Sequence, residues 1–323
     1  MQSPVYTCSL DNVTQLINRI AEKMPVYGDF GSSKTTLSPK GFFLPALEKL
    51  YETAKINDSY KITPAPPENA PFVLLGIRAC DAAAIEILDG VYLNDPIDPQ
   101  YKARRHASYI VTFACETMGA NCFCQSVNIN PAAPKGDVKA WVKNGTFFWL
   151  AQSEKGERLT ELLLDLLERT IPAGNDLLPV EPPDSAPALP LPADMLSAFN
   201  APVWDNLHRA CIACGTCTFL CPTCQCYDIS SHECTENSEK THCTRQWDAC
   251  LYPGFTQMAH GNPRPSKKER FRQRFMHKLV YHMQKYGTSA CVGCGRCVNK
   301  CPVNMNIVKV AHVLAQEEVN AYV

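Results

Sequence analysis

Hydrophobic and polar positions follow two different periods along the first 170 residues of the chain. Short, nearly continuous apolar runs at 72–77 and 109–114 are typical of strands that are covered on both faces. Residues 138–150 alternate around Asn144-Gly145, which is the strongest short signal for a hairpin turn. Apolar residues three or four positions apart predict helices over 10–24, 82–88 and 157–169. This part of the chain is therefore predicted to be an α/β or α+β domain.

A proline-rich segment separates this region from the rest of the chain. Eight prolines lie between Pro172 and Pro202, a composition that sustains neither a helix nor a central strand. Beyond it, helical patterns return over 267–286 and 305–316. We therefore predict an N-terminal α/β domain over 1–195, which includes the Pro-rich connector, and an all-α domain over 196–323.

Composition and charge exclude several classes of protein. The 323 residues are 46% hydrophobic, and 31 basic residues balance 32 acidic ones, so affinity from bulk phosphate neutralisation is not expected. No apolar run approaches the roughly 18 residues that a membrane span needs. The first residues lack a basic stretch followed by an apolar one, so we see no secretory signal and expect a cytoplasmic protein.

The unusual feature is a total of 18 cysteines. Reduced, clustered thiolates in a protein without an export signal are more often metal ligands or redox groups than disulfides. Two stretches of the last part share the spacing C-x2-C-x2-C-x3-C-P. In two-cluster ferredoxins the first three thiolates of this motif bind one cluster and the fourth binds the other. We therefore assign one [4Fe-4S] cluster to Cys211, Cys214, Cys217 and Cys301, and a second to Cys291, Cys294, Cys297 and Cys221.

Zinc is the alternative for these motifs, because paired C-x2-C hooks also bind one tetrahedral ion. Zinc usually takes two cysteines from each hook, whereas each motif here carries four with a proline in register. The 70-residue interval from Cys221 to Cys291 contains a long predicted helix. In this it resembles the α-helical ferredoxin domains of succinate dehydrogenase iron-sulfur subunits and heterodisulfide reductase, which pass electrons and transform no substrate themselves.

A third group of cysteines follows the two apolar runs. Cys80 comes after the first run, and Cys115, Cys122 and Cys124 come after the second. If the two strands are parallel neighbours, these cysteines lie at one edge of the sheet, where open α/β sheets place ligands. They then form either a third [4Fe-4S] cluster or a set of small buried thiols, and the sequence leaves both readings open.

The other cysteines carry weaker predictions. Cys224, Cys226 and Cys250 either pack beside a cluster or form a further metal site, whereas Cys8 carries no prediction. Cys234 and Cys243 can bind adventitious metal with His232 and His242, and we assign them no role. Seven basic residues between Arg264 and Lys278 form either a solvated helix face or a charge that stabilises anionic clusters or an acidic partner. The chain has no G-x-G-x-x-G motif, so we expect no nucleotide on it.

Several local motifs together resemble a family of iron-sulfur electron-transfer proteins that includes the sulfhydrogenase β-subunit and its counterpart in anaerobic sulfite reductase. The matching motifs are Pro39-Lys-Gly-Phe-Phe-Leu-Pro45, Arg78-Ala-Cys80-Asp81, Cys122-Phe-Cys124 and Trp247-Asp-Ala-Cys250, together with the cubane motifs. The resemblance implies a flavin- and NAD(P)H-binding partner subunit. It also implies a catalytic subunit of hydrogenase, sulfite reductase or heterodisulfide reductase type.

The favoured interpretation is a subunit that relays single electrons through its clusters between these partners, as part of a hetero-oligomer. It needs no catalytic acid or base of its own. The alternative is a self-contained reductase that binds substrate at an open iron of the N-terminal cysteines. A zinc-stapled interaction module is disfavoured by the motif spacing.

Overall fold

The computed structural model describes residues 4–31, 35–170, 179, 181, 189–190, 197–234 and 237–321. Most of the predicted proline-rich connector lies outside these residues. The chain divides into two compact units, of which unit 1 comprises Met1–Thr36, Asn69–Pro187 and Val292–Cys294. Unit 2 comprises Leu37–Glu68, Ala188–Cys291 and Gly295–Val323. This division differs from the single predicted boundary at 195, because both units are built from segments that are distant in the sequence.

In its described residues, unit 1 contains a seven-stranded mixed sheet in the order β2-β5-β6-β7-β8-β1-β9. The strands are β1 (Val5–Ser9), β2 (Val26–Gly28), β5 (Phe72–Ile77), β6 (Ser108–Phe113), β7 (Val138–Lys143), β8 (Thr146–Ala151) and β9 (Glu168–Thr170). The helices are α1 (Val13–Ala21), α2 (Ala79–Tyr92), α3 (Pro99–Ala107) and α4 (Glu154–Glu161). Strands β5 and β6 are parallel neighbours, and β7 and β8 form an antiparallel hairpin, as the sequence predicts.

The core of unit 1 lies where these strands meet the helices. Trp149 and Phe147 of the hairpin and Val111 of β6 are almost fully buried, together with Leu16 of α1. A buried apolar residue of this size stabilises the fold by roughly 1.5–3 kcal/mol relative to an exposed one. The nearly continuous apolar pattern of β5 and β6 is explained by burial on both faces.

Two predicted helices of unit 1 are shorter than their apolar spacing indicates. The helix predicted over 10–24 begins with a 3-10 turn and continues as α1, which ends at Ala21. The helix predicted over 157–169 ends as α4 at Glu161, and Glu168–Thr170 pairs instead with β1. Leu163 and Leu167 remain buried in the core, so sheet pairing replaces the helix without exposing its apolar face.

Unit 2 contains an antiparallel sheet, and this overturns the predicted all-α character. Its described strands are β3 (Leu47–Ile56), β4 (Ser59–Pro64), β10 (Tyr227–Cys234) and β11 (Asn237–Trp247), in the order β10-β11-β3-β4. The hairpin of β10 and β11 lies between the two cysteine motifs in the sequence. It pairs with β3, which comes from the segment that the sequence assigns to the N-terminal domain. Backbone hydrogen bonds between distant segments therefore outweigh the sequence order here.

The helices of unit 2 surround the cysteine motifs. They are α5 (Trp204–Leu207), α6 (Thr216–Phe219), α7 (Lys267–Met276), α8 (His282–Tyr286), α9 (Arg296–Asn299) and α10 (Ile307–Ala321). A π-helical turn, His277–Tyr281, joins α7 to α8, which confirms the helix predicted over 267–286. The side chain of Ser266 and that of Glu269 cap its start reciprocally. In the described part of the chain, every helix is too short or too polar to cross a lipid bilayer.

Candidate iron-sulfur site

The two cysteine motifs fold into loops of the same backbone shape. Gly215 and Gly295 have φ angles of 75° and 72°, and each caps the start of a short helix, α6 or α9. Two residues earlier, Ala213 and Gly293 have φ angles of 55° and 61°. This left-handed region favours glycine, so the alternation of left- and right-handed residues defines a tight loop in both motifs.

Gly215 is needed for space as well as for its φ angle. A Cβ atom at this position would lie 2.6 Å from the hydroxyl oxygen of Tyr252, closer than such atoms approach. The same hydroxyl donates a hydrogen bond to the carbonyl oxygen of Cys214 at 3.2 Å. Tyr252 therefore buttresses the loop that presents Cys214.

All four cysteines that the sequence assigns to the first cluster line one cavity of unit 2. It contains about 400 Å³ of space free of atoms, partly open to solvent. The lining cysteines are Cys211, Cys214, Cys217 and Cys301. Apolar walls come from Ile212, Leu251, Phe271, Phe275 and Val303, and the cation Arg274 also lines the cavity. A cysteine of the second motif thus lies with three of the first, which is the exchange of ligands typical of two-cluster ferredoxins.

The spacing of these four sulfurs differs from that of a zinc site. Four thiolates around zinc at about 2.3 Å would lie about 3.8 Å from one another. No three sulfurs of this set, all of which belong to the described residues, lie within 4.8 Å of one another. The set therefore surrounds a space larger than a single ion.

Three of the four cysteines predicted to bind the second cluster lie in unit 2 around two buried cations. The charges of Cys221 and Cys297 raise the pKa of the Arg274 guanidinium, against a larger opposing effect of burial. Those of Cys221 and Cys291 likewise raise the pKa of the Lys278 ammonium against burial. The Lys278 ammonium also donates a hydrogen bond to the hydroxyl of Thr223. The fourth predicted ligand, Cys294, belongs to unit 1.

The basic run between Arg264 and Lys278 is thus not a uniformly solvated helix face. Arg270, Arg274 and Lys278 are buried. Arg270 donates to the carbonyl oxygens of Leu251, Arg264 and Pro265, which holds a loop. Arg274 and Lys278 instead lie among cysteines. Because a buried cation without compensation costs several kcal/mol, their position indicates a buried negative charge beside them.

Cys224, Cys226 and Cys250 pack next to the same cations. Arg274 donates to the sulfur of Cys224 at 3.5 Å. A hydrogen bond from Cys226, aided by the charge of Arg274, lowers the pKa of the Cys250 thiol to about 6. A buried cation that the sequence analysis missed, Lys40, donates to the carbonyl oxygens of Thr218 and Cys224. Its only signal was its place within the motif Pro39–Pro45.

In unit 1, strands β5 and β6 end side by side and place the third group of cysteines at the sheet edge. Cys80 lies in the first turn of α2, where the helix dipole favours negative charge. Arg78 precedes it and donates to the carbonyl oxygen of Ala114, which follows β6. The motif Arg78-x-Cys80 therefore links the ends of the two strands.

Cys80 and Cys124 are brought together in one buried cluster of unit 1, which also contains Cys294. The amide of Phe123 donates to the carbonyl oxygen of Gly293 at 2.8 Å. A Cβ atom on Gly293 would lie 2.4 Å from the backbone nitrogen of Cys124, so only glycine permits this approach. Cys115 and Cys122 lie half-buried in the loop after β6. Sequence reasoning grouped the four N-terminal cysteines but not their proximity to Cys294.

Comparisons with known proteins agree with this geometry. Residues 210–305 match the family model described as a 4Fe-4S dicluster domain. The chain is also similar to the sulfhydrogenase 2 subunit beta of Pyrococcus furiosus, with 32% identity over 295 residues. The alignment covers 86% of this chain and 83% of the relative. No solved structure matches the chain.

Proposed function

This chain belongs to the sulfhydrogenase beta-subunit family, and from that premise we propose that it is the iron-sulfur electron-transfer subunit of a larger oxidoreductase. It would relay single electrons through [4Fe-4S] clusters between a flavin- and NAD(P)H-binding subunit and a terminal redox enzyme. The observation that carries the proposal is the cavity of unit 2, in which Cys301 of the second motif joins Cys211, Cys214 and Cys217 of the first.

When bound, such clusters supply reversible one-electron transfer without a chemical change in a substrate. The chain's own residues have three tasks. The thiolates of the two motifs hold the iron, and we assign Cys291, Cys294, Cys297 and Cys221 to the second cluster. Apolar walls such as Phe271 and Phe275 exclude water from the first. The buried cations Arg274 and Lys278 offset the negative charge that four thiolates and inorganic sulfide bring into the interior.

The edge of the first site supports electron exchange with another protein. Cys214 is exposed, and the side chain of Ile212, between the first two cysteines, is 60% exposed. An exposed apolar residue beside a redox site provides a contact through which a partner subunit can approach closely. The relative is itself named as a subunit, which supports a hetero-oligomer.

Copurification tests the proposal. The tagged full-length chain would be isolated anaerobically from its source cells, and its partners identified by mass spectrometry. We expect iron, acid-labile sulfide, a flavoprotein and a further redox subunit. The purified complex should show the EPR spectrum of magnetically coupled clusters after reduction by NAD(P)H.

The variant Cys301→Ser removes one assigned ligand of the first cluster. We expect it to weaken the coupled signal and slow electron transfer from the flavoprotein. Cys8→Ser is the matched control, because Cys8 is a buried thiol in the core of unit 1. A chain that contains zinc without sulfide, or that turns over a substrate by itself, would contradict the proposal; the second result would favour the self-contained reductase.

A further inference from the structure

We propose that Glu52, Cys234 and His242 form a binding site for a zinc-class divalent metal ion on the four-stranded sheet of unit 2. The inference is independent of the electron-transfer proposal, because none of these residues belongs to the cysteine motifs. Among the residues that the structure describes, they form a group of three whose ligand atoms all lie within 4.8 Å of one another.

The register of the sheet places the three side chains together. His242 on β11 is directly opposite Glu52 on β3, and it is directly opposite His232 on β10. Directly paired residues on neighbouring strands project from the same face of a sheet. Cys234 follows His232 by two positions across a register shift. Three adjacent strands therefore each present a metal-binding residue type to one point.

The distances between the ligand atoms fit a metal site closely. The Nε2 atom of His242 lies 3.1 Å from the sulfur of Cys234 and 3.0 Å from Oε2 of Glu52. Tetrahedral zinc with ordinary bond lengths would hold these pairs about 3.4–3.6 Å apart. A shift of about half an ångström would therefore admit the ion, without a change in the strands.

Hydrogen bonding alone leaves this arrangement poorly satisfied. The Nε2 atom carries one hydrogen or one lone pair, and both neighbours approach that same atom. If Nε2 is protonated, one hydrogen is divided between a carboxylate and a sulfur. If it is not, its lone pair faces the carboxylate. A cation at the centre would satisfy the nitrogen, the oxygen and a thiolate at once.

The donor set favours zinc over harder ions. One sulfur, one imidazole nitrogen and one carboxylate oxygen are ligands that zinc takes, whereas magnesium and calcium prefer oxygen alone. The fourth position would be filled by His232 or by water. The ammonium of Lys240 donates to Oε1 of Glu52 at 2.9 Å, so it can keep that bond while Oε2 binds the metal. Lys49, which lies 3.2 Å from Oε2, would have to move.

Such an ion would cross-link segments that are distant in the sequence. It would tie β3 to the β10–β11 hairpin, which lies between the two cysteine motifs. Cys243 takes no part, because it is adjacent to His242 on β11 and is buried on the opposite side. The sequence alone grouped Cys243 with these histidines and missed Glu52.

The test measures zinc and iron together in the anaerobically prepared full-length chain supplied with zinc chloride. We expect about one zinc per chain. Cys234→Ser and His242→Ala should each lose the zinc while they keep the wild-type iron content. His260→Ala, which removes an exposed histidine of the same unit, should keep both metals.

Zinc-edge X-ray absorption of the wild-type chain provides a second measurement that needs no variant. We expect one sulfur and two or three nitrogen or oxygen ligands. A zinc bound by four sulfurs would place the metal in a vacated cluster site and overturn the inference. Zinc content that is negligible, or unchanged in both ligand variants, would also overturn it and leave only a hydrogen-bonded cluster. If a ligand variant loses iron as well, the absorption spectrum of the wild type decides.

Discussion

The guanidinium of Arg274 donates to the sulfur of Cys224 at 3.5 Å in the interior of unit 2. The same side chain lines the cavity of the first cysteine set, and its pKa is raised by Cys217 of that set as well as by Cys221 and Cys297 of the second. One buried cation therefore interacts with assigned ligands of both clusters. This makes Arg274 the residue best placed to influence both reduction potentials.

We predict that Arg274→Gln lowers the reduction potential of the first cluster, and that of the second in the same direction. Removing a nearby positive charge destabilises the reduced, more negative state. A charge at about 6 Å with an effective dielectric constant of about 20 corresponds to roughly 100 mV. Redox titration followed by EPR measures the shift.

Arg272→Gln is the matched control on the same helix. Arg272 stacks on the ring of Phe199 and donates to its carbonyl oxygen, so it interacts with neither cysteine set through those contacts. We expect its potentials to stay near those of the wild type. Equal shifts in both variants would show that only the net charge of the helix matters.

A second prediction concerns the loop of the first motif. Gly215→Ala places a methyl group against Tyr252 and forces alanine into the left-handed region, which itself costs roughly 1–2 kcal/mol. We expect the variant to lose iron from the first cluster faster than the wild type on dilution or mild heating. Gly254→Ala is the control, because nothing lies within 4 Å of the added Cβ atom there. Equal iron retention in the two variants would refute the steric argument.

The sequence predicted those parts of the fold whose signals are local. The apolar runs of β5 and β6 and the Asn144-Gly145 turn each carry their own pattern, and the structure has these elements where they were expected. The sheet of unit 2 was missed because β10 and β11 are polar strands whose pairing with β3 is remote in sequence. A local signal existed for β3 and β4, since Asn57-Asp58 lies between two alternating segments, and Asn57 has a φ angle of 55°.

The cysteine spacing likewise predicted which residues share the first cavity, because it records the ligand exchange of a known cluster type. It held no information about charge compensation. Arg274, Lys278 and Lys40 come from separate segments, and only folding brings them beside the cysteines. Their burial is visible in the structure but not in the local composition, which is typical of a solvated helix for the first two.

A third prediction follows from the pairing of Glu48 with Arg245 between β3 and β11. Both side chains are nearly buried, and Arg245 donates to Oε2 of Glu48 through two nitrogens. Glu48→Leu would leave a buried guanidinium without its partner, which costs about 3–5 kcal/mol. We expect faster hydrogen exchange of the β3 and β11 amides, measured by mass spectrometry.

The double variant Glu48→Leu/Arg245→Met separates the ion pair from other effects. Because it removes both charges, most of the lost protection should return. If the double variant exchanges as fast as the single one, shape rather than charge holds these strands together.

The last prediction concerns the N-terminal cysteines. Cys80 and Cys124 lie in a buried cluster at the end of two parallel strands, with Cys80 at a helix start that favours negative charge. These features favour a cluster over packed thiols, so we expect about twelve iron atoms per chain in the wild type and about eight in Cys80→Ser. The coupled EPR signal of the two other clusters should persist in this variant, because their ligands are untouched.

Cys8→Ser serves as the control for the loss of a buried thiol. Burial raises the pKa of the Cys8 thiol to about 11, so it stays protonated at neutral pH and is a poor metal ligand. Its iron content should equal that of the wild type. A wild-type chain with about eight iron atoms, unchanged by Cys80→Ser, would assign the N-terminal cysteines to packing alone. Electrons would then pass only through the two clusters of the dicluster motifs.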